Sequence, residues 1–262
     1  MGKEGFINDS KMAFKGTLNG ILGAFIYELI ISFIVSFVVT YIVTINNPSL
    51  ESAGLEKLIA DTYSSFPFAM LISLLGSVTT LIMFVVIFKP NRFKEICLKA
   101  INNKTLKYGA IGALCIIGFS IVYNSALVSI LRLDSAGNAN QENVVSLIMS
   151  QPILGFLSVV LLAPAVEEFT FRYSLFGGVY KKSKKLAYFA SGLIFMLMHS
   201  ISSFSAASGF NKDFLIELLY LPPYLFSGLA LCYVYDKTNN VGASFVAHLL
   251  NNLISFLSII MI

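Results

Sequence analysis

Charge is scarce in this sequence. Only 12% of its 262 residues are Asp, Glu, Lys or Arg, while 56% are hydrophobic and the mean hydropathy is +0.80. A chain of this size cannot hide so much apolar surface in a water-soluble core, so lipid must be its solvent. Histidine is nearly missing as well: His199 and His248 are the only two. Cysteine is limited to Cys97, Cys115 and Cys232, an odd number at spacings that suit neither a disulfide framework nor a metal-ligand set, so packing is their ordinary role. No internal repeat, heptad array, phosphate-cradling loop or low-complexity tract is present, which removes solenoids, coiled coils and nucleotide-binding loops from consideration.

What is present is a series of apolar runs of the length that carries a helix across hydrocarbon, about 20 residues. They lie near 18 to 45, 66 to 88, 108 to 131, 150 to 176, 186 to 204, 214 to 235 and 241 to 260. The first is too long to read as a cleaved signal peptide and is expected to stay in the mature protein. Lys and Arg gather before the first run, between residues 89 and 107, and at Lys181, Lys182, Lys184 and Lys185; the alternate loops are mainly acidic. That asymmetry predicts a cytoplasmic N-terminus and explains the basic loops by topology, leaving nucleic-acid binding without support. The expectation is an all-α, polytopic membrane helical bundle of about seven to eight transmembrane helices forming one domain over 1–262. The eighth would come from a split or re-entrant segment in the stretch 143 to 177.

Ionisable groups inside such runs are expensive, and each asks for a reason. They are Glu28, Glu167, Glu168, Arg172, His199, Glu217 and His248. Glu28 and Glu217 read as paired or interfacial residues. The other five fall into three groups: Glu167, Glu168 and Arg172 in the fourth run, His199 four residues after Phe195 in the fifth, and His248 four before Asn252 in the seventh. A separation of four puts both members of a pair on one helix face. Glu167 lies 14 residues before Lys181 and His199 14 after Lys185, each up to about 21 Å from the basic boundary; His248, 11 beyond Lys237, lies about 16 Å from it. Gly177-Gly178 is expected to end the fourth helix early and bring Glu167 closer to His248 in height. Three helices can then present one buried polar cluster.

Within it, Glu168 and Arg172 are spaced as an intramembrane ion pair, which leaves Glu167 to face the cavity. A carboxylate in such a pocket suits a general base acting on water; imidazoles can position that water or stabilise an oxyanion, and Asn252 can donate to the oxyanion. Pro164 leaves a carbonyl unpaired one turn back and is a place where the helix can open.

The three motifs, Glu-Glu-x-x-x-Arg at Glu167, Glu168 and Arg172, Phe-x-x-x-His at Phe195 and His199, and His-x-x-x-Asn at His248 and Asn252, resemble those of the CAAX-protease and bacteriocin-processing (CPBP) family of intramembrane endopeptidases. The stretch from Phe226 through Asn240 to His248 also resembles that family's helix, turn and helix. The resemblance covers about 145–260, a catalytic-type core. It implies an endopeptidase that cuts a membrane-associated peptide or protein through a glutamate-activated water, in bacterial peptide processing or bacteriocin immunity. Catalytic roles would fall to Glu167, His199, His248 and Asn252, with Glu168, Arg172 and Phe195 in support.

The cofactor is left open between a divalent metal such as zinc, with Glu167, His199 and His248 as the candidate ligands, and none; there is no His-Glu-x-x-His spacing and no third histidine. The implied partners are membrane lipid, a peptide or membrane-protein substrate and a membrane-protein partner, in a bacterial cytoplasmic membrane. Two other readings use the same residues. A non-catalytic scaffold or immunity protein of the same fold would keep the cluster to lock helices together. A proton-coupled transporter would also bury Glu and His, but such proteins usually carry structural repeats.

Overall fold

The computed structural model describes residues 40–64, 90–132, 138–200 and 212–261, with scattered positions before residue 90. The runs expected near 18 to 45 and 66 to 88, and Glu28 with them, lie largely outside the described residues. Every regular element that is described is helical: α1 (Ser52–Ser64), α2 (Pro90–Ala100), α3 (Asn103–Leu131), α4 (Ala139–Ser150), α5 (Pro152–Tyr180), α6 (Lys184–His199), α7 (Lys212–Leu219), α8 (Leu221–Thr238) and α9 (Val241–Ile260). Among the described residues, four stretches are long and apolar enough to cross a membrane: Asn103–Leu131, Pro152–Tyr180, Phe214–Thr238 and Val241–Ile260. The chain is thus an all-α membrane bundle.

Two expected spans take a different form. The fifth run yields α6, which stops at His199 after 16 residues, about 24 Å of helix and short of the hydrocarbon thickness. Its end is capped by Ser200, whose hydroxyl donates to the Met196 carbonyl at 2.7 Å. The stretch 143 to 177 is split at Gln151-Pro152: α4, with 12 residues, is too short to cross, and α5 follows it. Gly177-Gly178 does not end α5, because the helix continues through Gly177–Tyr180. Glycine permits a helix end without requiring one.

Local chemistry sets the turn between α8 and α9. Asn239 adopts the left-handed conformation at φ 51°, which asparagine tolerates, and its N–H donates back to the Tyr235 carbonyl. Asn240 then caps α9, its Oδ1 accepting from the Gly242 N–H at 2.8 Å. The same side chain donates to the Lys99 carbonyl at 2.8 Å, fastening the end of α2 to this turn. A Cβ at Gly242 would collide with the Ala100 backbone, so only glycine lets α2 approach.

Small residues also bring the central helices together. On α3, Gly109 and Gly112 face Val246 and Ala247 of α9, and a Cβ at Gly109 would sit 2.7 Å from the Val246 Cβ. Between α6 and α8, a Cβ at Gly228 would lie 3.1 Å from the Gly192 Cα. Ile111, Leu114, Ile121, Val122 and Ile130 on the remaining face of α3 are exposed, the surface expected of a helix turned toward lipid.

Candidate active site

The site grows from an irregularity in α5. Residues Phe156–Leu162 and Glu168–Phe176 are wound as π-helix, with Ala163–Glu167 in ordinary α-helix between them. In the wider register each N–H reaches back five residues, as the Ala163 N–H does to the Ser158 carbonyl. The next donor in that series would be residue 164, which would serve the Val159 carbonyl. Residue 164 is proline and has no N–H. The orphaned Val159 carbonyl is satisfied from another helix: Asn252 of α9 donates Nδ2–H to it at 2.9 Å. Asn251 in turn donates to Asn252 Oδ1 at 3.0 Å and fixes the amide's orientation.

One turn further along, Glu168 and Arg172 form the i,i+4 pair, Arg172 Nη1 lying 3.1 Å from Glu168 Oε1, with both side chains 0% exposed. A buried pair must satisfy its remaining atoms elsewhere. Arg172 Nη2 donates to the Gly228 carbonyl at 3.2 Å, and the guanidinium lies 4.4 Å from the centre of the Phe195 ring. Glu168 Oε1 accepts from Nδ1–H of His248 at 2.9 Å. Ser191 of α6 donates to the Phe171 carbonyl at 3.0 Å, tying α6 to the π-helical stretch.

Both histidines converge on Glu167. His199 Nε2 lies 3.7 Å and His248 Nε2 3.9 Å from Glu167 Oε2. His199 Nδ1 is engaged by its own i−4 carbonyl, Phe195 O, at 2.9 Å. A carbonyl and an ion-paired carboxylate only accept hydrogen bonds, so Nδ1 of each ring bears a proton, and in the neutral form the lone pair lies on Nε2, the atom nearest Glu167. Glu167 Oε2 is itself buried and makes no hydrogen bond among the described residues. Three acceptors from three helices therefore face one another beyond hydrogen-bonding distance, an arrangement that calls for a donor with more than one hydrogen, such as water.

As they stand, these residues do not fit a metal ion. Ligand atoms around a tetrahedral zinc sit about 3.3 Å apart, closer than the two contacts to Glu167 Oε2. Among the described residues no group of three or more His, Cys, Asp or Glu is arranged to hold one.

The site opens on a cavity of about 930 Å³. Glu167, Phe195, His199, His248, Asn251 and Asn252 line it, together with Ser120 and Asn124 of α3 and Asn138, Asn140 and Gln141 around the start of α4. Of the residues singled out in the sequence, Glu167, His199 and His248 share one corner, Glu168 and Arg172 stand directly behind it, and Phe195 packs against Arg172 and both imidazoles. Asn252 lines the same cavity, but its bonded amide hydrogen points to the Val159 carbonyl rather than to Glu167. Glu217 accepts from the Ala139 N–H at 3.1 Å and so caps α4, in keeping with a paired residue.

Residues 149–254, which hold every one of these motif residues, match the family described as type II CAAX prenyl endopeptidase Rce1-like. The likeness to the Rce1-like family is confined to this segment. The UPF0177 protein YxdF of Lactococcus lactis subsp. lactis (strain IL1403) is 29% identical over 136 residues, covering 51% of this chain and 67% of that protein. No solved structure matches the chain. The Rce1-like segment leaves out α3 and most of α4, which build the opposite wall of the cavity.

Two contributors to the site were not singled out in the sequence. Tyr224 stacks on His199, ring centres 5.1 Å apart and 27° between planes; as one aromatic among several near Pro222-Pro223 it carries no signal of its own. Ser191, in the middle of an apolar run, reads simply as a small residue suited to helix packing.

Proposed function

We propose that this chain is an intramembrane endopeptidase that hydrolyses a peptide bond of a membrane-associated substrate with a water activated by Glu167. The reading rests on the convergence of Glu167 Oε2 with two Nε2 lone pairs. A water placed among them donates one hydrogen to Glu167 and the other to an imidazole, which aims an oxygen lone pair into the cavity. As that oxygen attacks the scissile carbonyl carbon, Glu167 takes the proton. When the carbon–nitrogen bond breaks, Glu167 returns it to the leaving amine.

Neutral rings protonated on Nδ1 serve as water acceptors rather than oxyanion donors. The second N–H of Asn252, beyond the one held by Val159, is the donor best placed by chemistry to meet the developing oxyanion. Arg172, Glu168 and Phe195 hold His248 and His199 in orientation. The apolar spans and the likeness to a Lactococcus lactis protein favour a bacterial cytoplasmic membrane as the setting, with peptide processing or peptide immunity as the role.

A non-catalytic scaffold of the same fold would also use the buried Arg172–Glu168–His248 string, which ties α5 to α9. It would have no use for Glu167, which lines the cavity and makes neither of the short contacts, to Arg172 and to His248 Nδ1, that hold Glu168. The test is the reconstituted protein incubated with a library of hydrophobic peptides, cleavage being read by mass spectrometry. Cleavage that disappears in Glu167→Gln, His199→Ala and His248→Ala is expected; cleavage equal in all four proteins would overturn the assignment.

A further inference from the structure

The His199 ring packs against two aromatic rings. Phe195 lies with its ring centre 4.4 Å away, tilted by 35°, and Tyr224 stacks on it at 5.1 Å, while Nδ1 is held by the Phe195 carbonyl. With these contacts made, Nε2 lies 3.7 Å from Glu167 Oε2. Tyr224 has a second attachment. Its hydroxyl donates to Oδ1 of Asn138 at 3.2 Å and accepts from Nδ2 of Asn140 at 3.1 Å. Asn138 is the N-cap of α4, its Oδ1 also accepting from the Gln141 N–H at 2.9 Å. The start of α4 is one wall of the cavity.

We propose that Tyr224 is a positioning residue: its ring fixes the His199 imidazole, and its hydroxyl ties that imidazole to the helix closing one end of the cavity. The two halves of the side chain have separable tasks. Phenylalanine at this position keeps the stack and loses the tie; leucine loses both. The inference rests on His199 being part of the reactive site, but its test needs no substrate, so its failure and that of the protease assignment are distinguishable.

The chain's two histidines make the test direct. In full-length protein labelled with [15N]histidine in micelles, the imidazole nitrogens of His199 and His248 are the only histidine signals. Tyr224→Leu is expected to shift or broaden the His199 pair while the His248 pair stays in place. Tyr224→Phe should leave both pairs at their wild-type positions and raise amide hydrogen exchange over residues 139–143 about tenfold, the weight of a lost hydrogen bond. His199 signals unmoved in Tyr224→Leu, or exchange unchanged in Tyr224→Phe, would overturn the proposal. Should the leucine variant fail to fold, losing both pairs, exchange in Tyr224→Phe decides alone.

Discussion

Adjacent residues in this chain do opposite work. Glu168 is fully buried, its Oε1 paired with Arg172 and accepting from His248, so it belongs to the fold as much as to the site; Glu167, one position earlier, lines the cavity and stands 3.7 and 3.9 Å from two imidazole nitrogens. Their substitutions should separate accordingly. Glu167→Gln is expected to lower cleavage at least about 100-fold while leaving the thermal midpoint near that of wild type. Arg172→Met, which strands the Glu168 charge, should cost about 3–5 kcal/mol of stability, and Glu168→Gln combined with Arg172→Met should recover much of that loss in the same denaturation assay. A Glu167→Gln protein as destabilised as Arg172→Met would mean that both carboxylates are structural. The division was legible in part from spacing alone, because i,i+4 geometry assigns Glu168 to Arg172. The orientation of the imidazoles was not, since it depends on partners supplied by the Phe195 carbonyl and by Glu168 across 80 residues of chain.

At the scale of elements, α5 departs most from what a hydropathy pattern can convey. Pattern and length place a membrane helix there, and Pro164 marks where its backbone lacks a donor. The π register is invisible to either, and it moves the orphaned carbonyl to Val159, where Asn252 meets it. That gives Asn252 a structural task besides any catalytic one and yields a coupled prediction. Asn252→Ala should cost about 1–3 kcal/mol by leaving the Val159 carbonyl unsatisfied. Pro164→Ala restores the missing N–H, so the double variant should lose less stability than the sum of the two single effects, as read by a double-mutant cycle in chemical denaturation. Strict additivity would show that the proline and the asparagine do not share this carbonyl. Conversely, the glycines at 177 and 178 resemble a helix stop in sequence, yet α5 runs through them because the bundle around it supplies the packing that propensity withholds. Helix α6 ends at His199 although its apolar run continues to residue 204, an end that the hydropathy pattern does not mark.

At the scale of the whole molecule, the bundle is held where small residues let helices touch: Gly109 and Gly112 against α9, Gly192 against Gly228. Gly228 has a double role, since its carbonyl also accepts from Arg172. Gly228→Leu should therefore separate α6 from α8, loosen the Arg172 contact and destabilise the protein more than Gly118→Leu, whose Cβ would meet no atom within 4 Å; thermal unfolding in detergent compares the two. The membrane class of the fold was readable from composition, since no other solvent accommodates so apolar a surface. The convergence of α5, α6 and α9 on one corner was readable from depth only in part, because the helix end at Gly177-Gly178 that was to bring Glu167 level with His248 does not occur. The cavity's other wall was not, because α3 and the start of α4 carry no motif and meet the site only through tertiary packing.

The central claim is that Glu167 activates water for peptide-bond cleavage, and single-turnover cleavage in H2(18)O by wild type and Glu167→Gln, reconstituted in liposomes, tests it most directly. The account predicts 18O in the new carboxylate formed by wild type and a rate at least about 100-fold lower for the glutamine variant with the fold intact. Cleavage by Glu167→Gln at the wild-type rate would contradict it.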